Sequence, residues 1–245
     1  MKTPPPNSTH KRTPPYVARA MFVVLGLAAW FWTQSLIGHR AFPAGMIGDG
    51  VHSLTAPIHQ YLIQNRSAAN ALLIVSSGFI DLFGIFLLAR GIFGPSIRPF
   101  LALLMVFALR QMCQATCALP PPDEMIWRNP GFPSLLVTYG VANDLFFSGH
   151  TALAVLGAIE LAQFRRRWLT WAGITIAIFE AFTVLVLRAH YTMDVFTGAV
   201  TAIVVSGAAL RFAPAVDQAL IRFFHRKQKQ SDATTAQPQQ SPTAL

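Results

Sequence analysis

Apolar residues run without alternation through six stretches, roughly 17–37, 69–93, 100–117, 149–164, 168–187 and 192–212. Polar or Gly/Pro-containing breaks separate them. Each is about 16–25 residues long, against the ~20 needed to cross ~30 Å of hydrocarbon as a helix. Continuous runs, unlike period-two alternation, exclude barrel strands. The pattern predicts an all-α polytopic membrane protein, with six transmembrane helices in one bundle over residues 17–215. The fourth span is the shortest. Residues 1–16 are polar and Pro-rich, and are expected to form a disordered cytoplasmic tail. Residues 216–245 are expected to form a polar cytoplasmic C-terminal tail, of low complexity from about residue 226. The long basic N-terminal region, with no small-residue cleavage site after it, argues against a cleaved signal.

Composition sharpens this picture. Of 245 residues, 53% are hydrophobic and 12% charged, and the mean hydropathy is +0.45. A soluble domain carries about 25% charged residues. The net charge of +9 could suggest nucleic acid, but the basic residues cluster at the ends of the apolar runs, where a membrane accounts for them. No nucleic-acid partner is expected. With the N-terminus inside, Arg90, Arg98, the Arg165–Arg167 run, Arg211 and Arg222 are cytoplasmic. Only Arg40, Arg66, Arg128 and Arg188 are outside, with Arg110 within the bilayer. Both termini are then cytoplasmic. The chain would lie in a bacterial inner membrane or a secretory-pathway membrane. Cys113 and Cys117, one helical turn apart, fit a disulfide poorly and read as packed thiols.

The long loops 38–68 and 118–148 fall on the outer, exoplasmic or periplasmic face. They hold His39, Asp49, His52, His59, Asp123, Glu124 and Asp144. Two signatures sit at their rims. Leu145-Phe146-Phe147-Ser148-Gly149-His150-Thr151 opens the fourth span, and Arg188-Ala189-His190-Tyr191-Thr192-Met193-Asp194 opens the sixth. His190 and Asp194 are four apart and are expected on one helix face. The carboxylate can accept a hydrogen bond from one imidazole N–H, fix the tautomer and leave the other nitrogen nucleophilic. His150 is expected at a helix start after Ser148 and Gly149, where free amides suit a phosphate, and it can protonate a departing alkoxide. Each motif alone has a bland reading: an interfacial histidine wetted by headgroups, or a simple helix pair. Two histidines and an aspartate are also candidate zinc ligands. No further strong ligand sits nearby, and a histidine nucleophile needs no metal, so no metal or cofactor is expected.

FFSGHTA (Phe146–Ala152) and RAHYTMDV (Arg188–Val195) resemble the lipid phosphate phosphatase superfamily. The likeness is greater to its transferase branch of sphingomyelin synthases and plant phosphatidylcholine:diacylglycerol cholinephosphotransferases. A looser match runs from Arg110 to Pro122. The resemblance implies His190 as nucleophile, Asp194 as its orienting partner and His150 as general acid. A phospholipid head group would pass through a phosphohistidine to a lipid hydroxyl. The superfamily's phosphatases carry Lys-x6-Arg-Pro and an Arg six residues before the nucleophile. Here Gly91 and Val184 occupy those positions. A dianionic monoester needs several cations and a diester fewer. Arg188 and Arg110, with Ser148 and Gly149, are the candidates to bind the phosphate.

Asp81, Arg110, Glu160 and Glu180 fall inside spans, where ionisable groups are costly unless paired or functional. At ~1.5 Å per residue, Arg110 and Glu180 lie about 10 Å below their outer ends, so a buried Arg110–Glu180 pair is expected, the alternative being that Arg110 turns towards the phosphate and Glu180 only balances it. The resulting expectation is a membrane enzyme moving phosphocholine, or a similar phospho-alcohol, from a glycerophospholipid to diacylglycerol or ceramide. A hydrolase of the same chemistry, a small transporter and a non-catalytic scaffold are the alternatives. Oligomeric state is open.

Overall fold

The computed structural model describes residues 16–38, 47–139 and 145–235. The expected N-terminal tail, His39, Arg40 and Asp144 lie outside them. The regular structure among the described residues is helical, with no strand. In chain order the helices are α1 (Tyr16–Gly38), α2 (Gly50–Leu54), α3 (Ala56–Gln64), α4 (Arg66–Phe93), α5 (Arg98–Thr116), α6 (Gly149–Ala162), α7 (Arg167–Val186) and α8 (Thr192–Thr235).

Five of these, α1, α4, α5, α7 and α8, are long and apolar enough to cross a membrane. Five of the six expected spans are thus of spanning length among the described residues. The fourth predicted span is α6, with 14 residues. It is about 21 Å long, short of the ~30 Å of hydrocarbon. Ser148 caps its start, and the chain leaves the helix at Gln163. It packs against α4, α5, α7 and α8 as the central helix, so protein rather than lipid covers it. Close approach makes this possible. A Cβ on Gly157 would meet the Phe83 ring at 2.5 Å, and one on Gly173 would meet Ala158 Cα at 2.8 Å. The long helices turn apolar side chains outward, among them Trp32, Leu82, Ile178 and Ile203. This inside-out surface suits lipid.

α8 is longer than its apolar stretch. It continues past 212 and across Pro214 to Thr235, through the region expected as tail. A proline removes one helical hydrogen bond without necessarily ending the helix. Asp217 shows why the extension is ordered. It pairs with Arg19 at 3.0 Å, accepts Ser96 Oγ at 2.7 Å and accepts the Ile97 amide at 3.1 Å. It thereby ties α1, the α4–α5 turn and α8 together. Beside it, Arg98 Nη2 lies 2.7 and 2.8 Å from the two oxygens of Glu160.

The segment between α5 and α6 folds down into the bundle. Asp81 accepts the Leu135 and Leu136 amides at 2.8 and 2.9 Å, and the Ser134 hydroxyl as well. Asp81 lies 81 − 66 = 15 residues into α4, about 22 Å along the helix. Irregular backbone at such depth is tolerated where protein satisfies its polar groups. The expected Arg110–Glu180 pair is overturned. Glu180 Oε2 accepts from Ser76 at 2.6 Å, while its Oε1 has no hydrogen-bond partner among the described residues. Arg110 Nε instead donates to the Phe147 carbonyl at 2.7 Å.

Candidate active site

The two histidine motifs meet at one end of the bundle, opposite the Arg165–Arg167 turn. Ser148 begins α6 by accepting the Thr151 amide on its hydroxyl, and it also accepts the Thr151 hydroxyl. Its own amide donates to the Asp194 carbonyl at 3.0 Å. A backbone bond therefore knits the start of α6 to the first turn of α8. Gly198 permits the approach, because a Cβ there would lie 2.5 Å from the Ser148 carbonyl oxygen. Gly149 lies against the Arg110 side chain, where a Cβ would meet the guanidinium Nε at 3.2 Å.

The turn carrying His190 has its own logic. α7 closes with Arg188 in the left-handed region at φ 53. The Arg188 amide bonds the Leu185 carbonyl and the Ala189 amide bonds the Val184 carbonyl, the paired pattern of a Schellman C-cap. His190 follows in irregular backbone, ahead of the α8 start at Thr192. The expectation that His190 and Asp194 share a helix face is therefore corrected. They meet because the turn folds His190 over the first turn of α8. Asp194 Oδ2 accepts the Tyr191 amide at 2.9 Å, the back-reaching half of a capping box. The same oxygen lies 3.5 Å from His190 Nδ1. With Nδ1 turned to the carboxylate, Nε2 is left on the far side of the ring.

His150 and His190 line one open-sided cavity. Arg110 and Gly149 line it too, and Trp30, Phe107, Trp127, Leu136 and Leu153 supply apolar wall. Trp127 meets His150 edge to face at 5.1 Å and anchors its own Nε1–H on the Thr138 carbonyl. His150 Nε2, His190 Nδ1 and Asp194 Oδ1 are buried and lack a hydrogen-bond partner among the described residues. Two imidazoles at the wall of one cavity, with a carboxylate behind one of them, are an arrangement suited to a ligand.

Other predicted site residues fall elsewhere. Ser148 is fully buried as a helix cap and does not line the cavity. Arg188 turns away from the two histidines. Its Nη1 donates to the Asp123 carbonyl at 3.2 Å and lies 3.6 Å from Glu124. It lines a second cavity of ≈ 720 Å³ with Asp49, His52 and Asp123.

Sequence reasoning missed a layer behind the site. Asp49 caps α2 through the Val51 and His52 amides and also accepts the Thr192 amide at 2.6 Å and the Thr192 hydroxyl at 2.8 Å. Burial works against its charge, but the bonds from Thr192 and His52 prevail and hold its carboxyl below the ordinary value. His52 Nε2 donates to the His190 carbonyl at 2.9 Å, and His59 Nδ1 donates to the Val186 carbonyl at 2.7 Å. Burial, with the nearby Arg188 charge, pushes the His59 imidazole down. The only sequence signal for this layer was the crowding of histidines and acids in the first outer loop.

Among known proteins, the chain is similar to two from Arabidopsis thaliana. Phosphatidylcholine:diacylglycerol cholinephosphotransferase 1 is 27% identical over 101 residues, covering 41% of this chain and 32% of that protein. Phosphatidylcholine:diacylglycerol cholinephosphotransferase 2 is 26% identical over 101 residues, covering 41% of this chain and 33% of that protein. The chain thus matches about a third of the length of these curated relatives. The AtPDCT1/2 family model matches residues 49–210, from the Asp49 cap to the membrane part of α8 and through both histidine motifs. That match takes in more than half of the chain, which therefore belongs to the AtPDCT1/2 family.

Proposed function

We propose that the protein is a membrane phosphotransferase that moves phosphocholine, or a similar phospho-alcohol, from a glycerophospholipid to a lipid hydroxyl. The relatives' names support diacylglycerol as acceptor, and ceramide offers the same primary alcohol. One observation carries the reading: His190, backed by Asp194, shares a cavity with His150 and Arg110.

In this mechanism the donor phosphodiester lies beside Arg110, whose guanidinium balances its single negative charge. His190 Nε2 attacks phosphorus, and the bond to the glycerol oxygen breaks. His150 gives its proton to the departing alkoxide. The phosphoryl head group is then on His190, whose developing positive charge Asp194 stabilises. The acceptor hydroxyl yields its proton to His150 and attacks phosphorus, which breaks the P–N bond and restores both histidines. Holding both lipids at one phosphorus replaces a bimolecular search. The apolar wall of Trp30, Phe107, Trp127 and Leu153 keeps water from competing with the acceptor. The histidine end is taken as the exoplasmic or periplasmic face and the Arg165–Arg167 end as cytoplasmic, so the substrates are the surrounding membrane lipids.

The test is lipid mass spectrometry of purified protein in vesicles holding phosphatidylcholine and isotopically labelled diacylglycerol. Labelled diacylglycerol should become labelled phosphatidylcholine with the wild type and not with His190→Ala. Product that is always water-soluble phosphocholine would replace transfer by hydrolysis. Equal transfer by His190→Ala would remove His190 from the chemistry.

A further inference from the structure

We propose that His52 and His59 are positioning residues, a clasp from the first outer loop that sets the orientation of the His190 ring; this rests on the transferase reading above. The α7–α8 turn offers three successive constraints on His190: the Schellman cap before it, Asp194 beside it and the outer-loop histidines against its backbone. The first two are local to the turn. The clasp comes from 138 and 127 residues away in sequence.

The chemistry of the contact fixes its direction. A carbonyl oxygen only accepts, so His52 carries its proton on Nε2 and His59 on Nδ1. His52 takes the carbonyl of His190 itself, and His59 takes that of Val186, the last residue of α7. Both rings are buried, His59 completely. The His52 ring also stacks on Tyr191 at 5.7 Å and 28°. Asp49 locks the clasp to α8, since one carboxylate caps α2, which carries His52, and holds the Thr192 amide and hydroxyl. The peptide that follows His190 and the end of α7 four residues before it are thus held from outside the turn. Rotation of that peptide would swing Nε2 away from phosphorus while leaving the Asp194 contact free to re-form elsewhere. A misplacement of about 1 Å at a reacting group can cost about a hundredfold in rate.

The replacements that separate a hydrogen-bond donor from a packed ring are His52→Phe and His59→Phe, each paired with a variant keeping a donor at the same place. His52→Gln retains an amide near Nε2, and His59→Asn retains one near Nδ1. Two readouts are taken on full-length protein in vesicles: kcat and KM for phosphatidylcholine-to-diacylglycerol transfer, and the rate at which diethyl pyrocarbonate modifies His190, mapped by peptide mass spectrometry. The second readout needs no activity. The clasp predicts that each Phe variant changes His190 modification at least threefold and lowers kcat about tenfold, with KM within twofold, and that Gln and Asn restore both. Phe variants that match the wild type, or Gln and Asn variants as slow as Phe, overturn it. If a Phe variant fails to fold, the donor-keeping variants decide: values within threefold of wild type support the clasp, and a larger fall overturns it. Wild-type protein that modifies as predicted yet transfers nothing would sink the transferase reading and leave the clasp standing.

Discussion

The two ends of the bundle handle buried polar groups in opposite ways. At the basic end, carboxylates meet guanidiniums: Arg19 lies 3.0 Å from Asp217, and Arg98 lies 2.7 Å from Glu160. At the histidine end, His150 Nε2, His190 Nδ1 and Asp194 Oδ1 are buried without a hydrogen-bond partner among the described residues, around a cavity. The first arrangement holds helices together. The second places two imidazoles and a carboxylate at and behind a cavity wall, where a ligand can meet the rings. Damage at the histidine end should therefore appear in rate, and damage at the basic end in stability.

The comparison breaks most directly at His190. His190→Ala should lower transfer at least about 10³-fold with little change in melting temperature, because a nucleophile has no substitute. Equal losses of folded protein and rate would erase the distinction between the ends. His150→Gln should lower kcat by about 10²–10⁴-fold, the usual range for a lost general acid and base. A loss confined to KM would make it a binding group instead.

The basic end gives the converse. Arg98→Ala strands Glu160 and should destabilise the protein by about 3 kcal/mol, while kcat of the folded fraction stays within twofold. In a double-mutant cycle with Glu160→Gln the two losses should couple. Additive losses would mean that the pair does not act as one unit. Arg188→Gly sharpens the contrast within the histidine end. Glycine suits the left-handed position after α7, so stability should hold or rise by up to about 1 kcal/mol. Transfer should stay within threefold, whereas Arg110→Leu should cost at least about thirtyfold. Equal losses would restore Arg188 to the phosphate site.

The smallest effect is a pH dependence at Asp49. Its folded carboxyl titrates below the ordinary value of 3.8. Its contribution is therefore complete above that value and is lost as pH falls through the lower folded one. Melting curves should steepen in their acid dependence below about pH 4, and Asp49→Asn should remove that part of the slope. An unchanged slope would separate Asp49 from the α8 start.

Much of this division could be read from the residues alone. Runs 17–37, 69–93, 100–117 and 168–187 match α1, α4, α5 and α7 within a few residues, because continuous apolarity marks a lipid-facing helix. The joining of His150 with His190 followed from placing two motifs at one end of neighbouring helices. Other features depended on contacts that no local pattern encodes. α2 and α3 are too short for a periodic signal, and their role lies in bonds to backbone carbonyls. Asp81 faces a loop more than 50 residues away, so it read as a costly charge rather than a loop anchor. The direction of Arg188 towards Asp123 was not legible, because the turn that sets it is a tertiary arrangement. The surround of other helices about the 14-residue α6 was not legible, because apolarity does not distinguish lipid from packed protein.

The central claim is that His190 carries the head group between two lipids. Protein mixed with phosphatidylcholine labelled in its phosphocholine, without acceptor, then acid-sparing quench and peptide mass spectrometry, tests it directly. The account predicts a phosphocholine adduct on His190 that is absent in His190→Ala and disappears when diacylglycerol is added. An adduct on His150, or transfer proceeding with no adduct on His190 at any time, would contradict it.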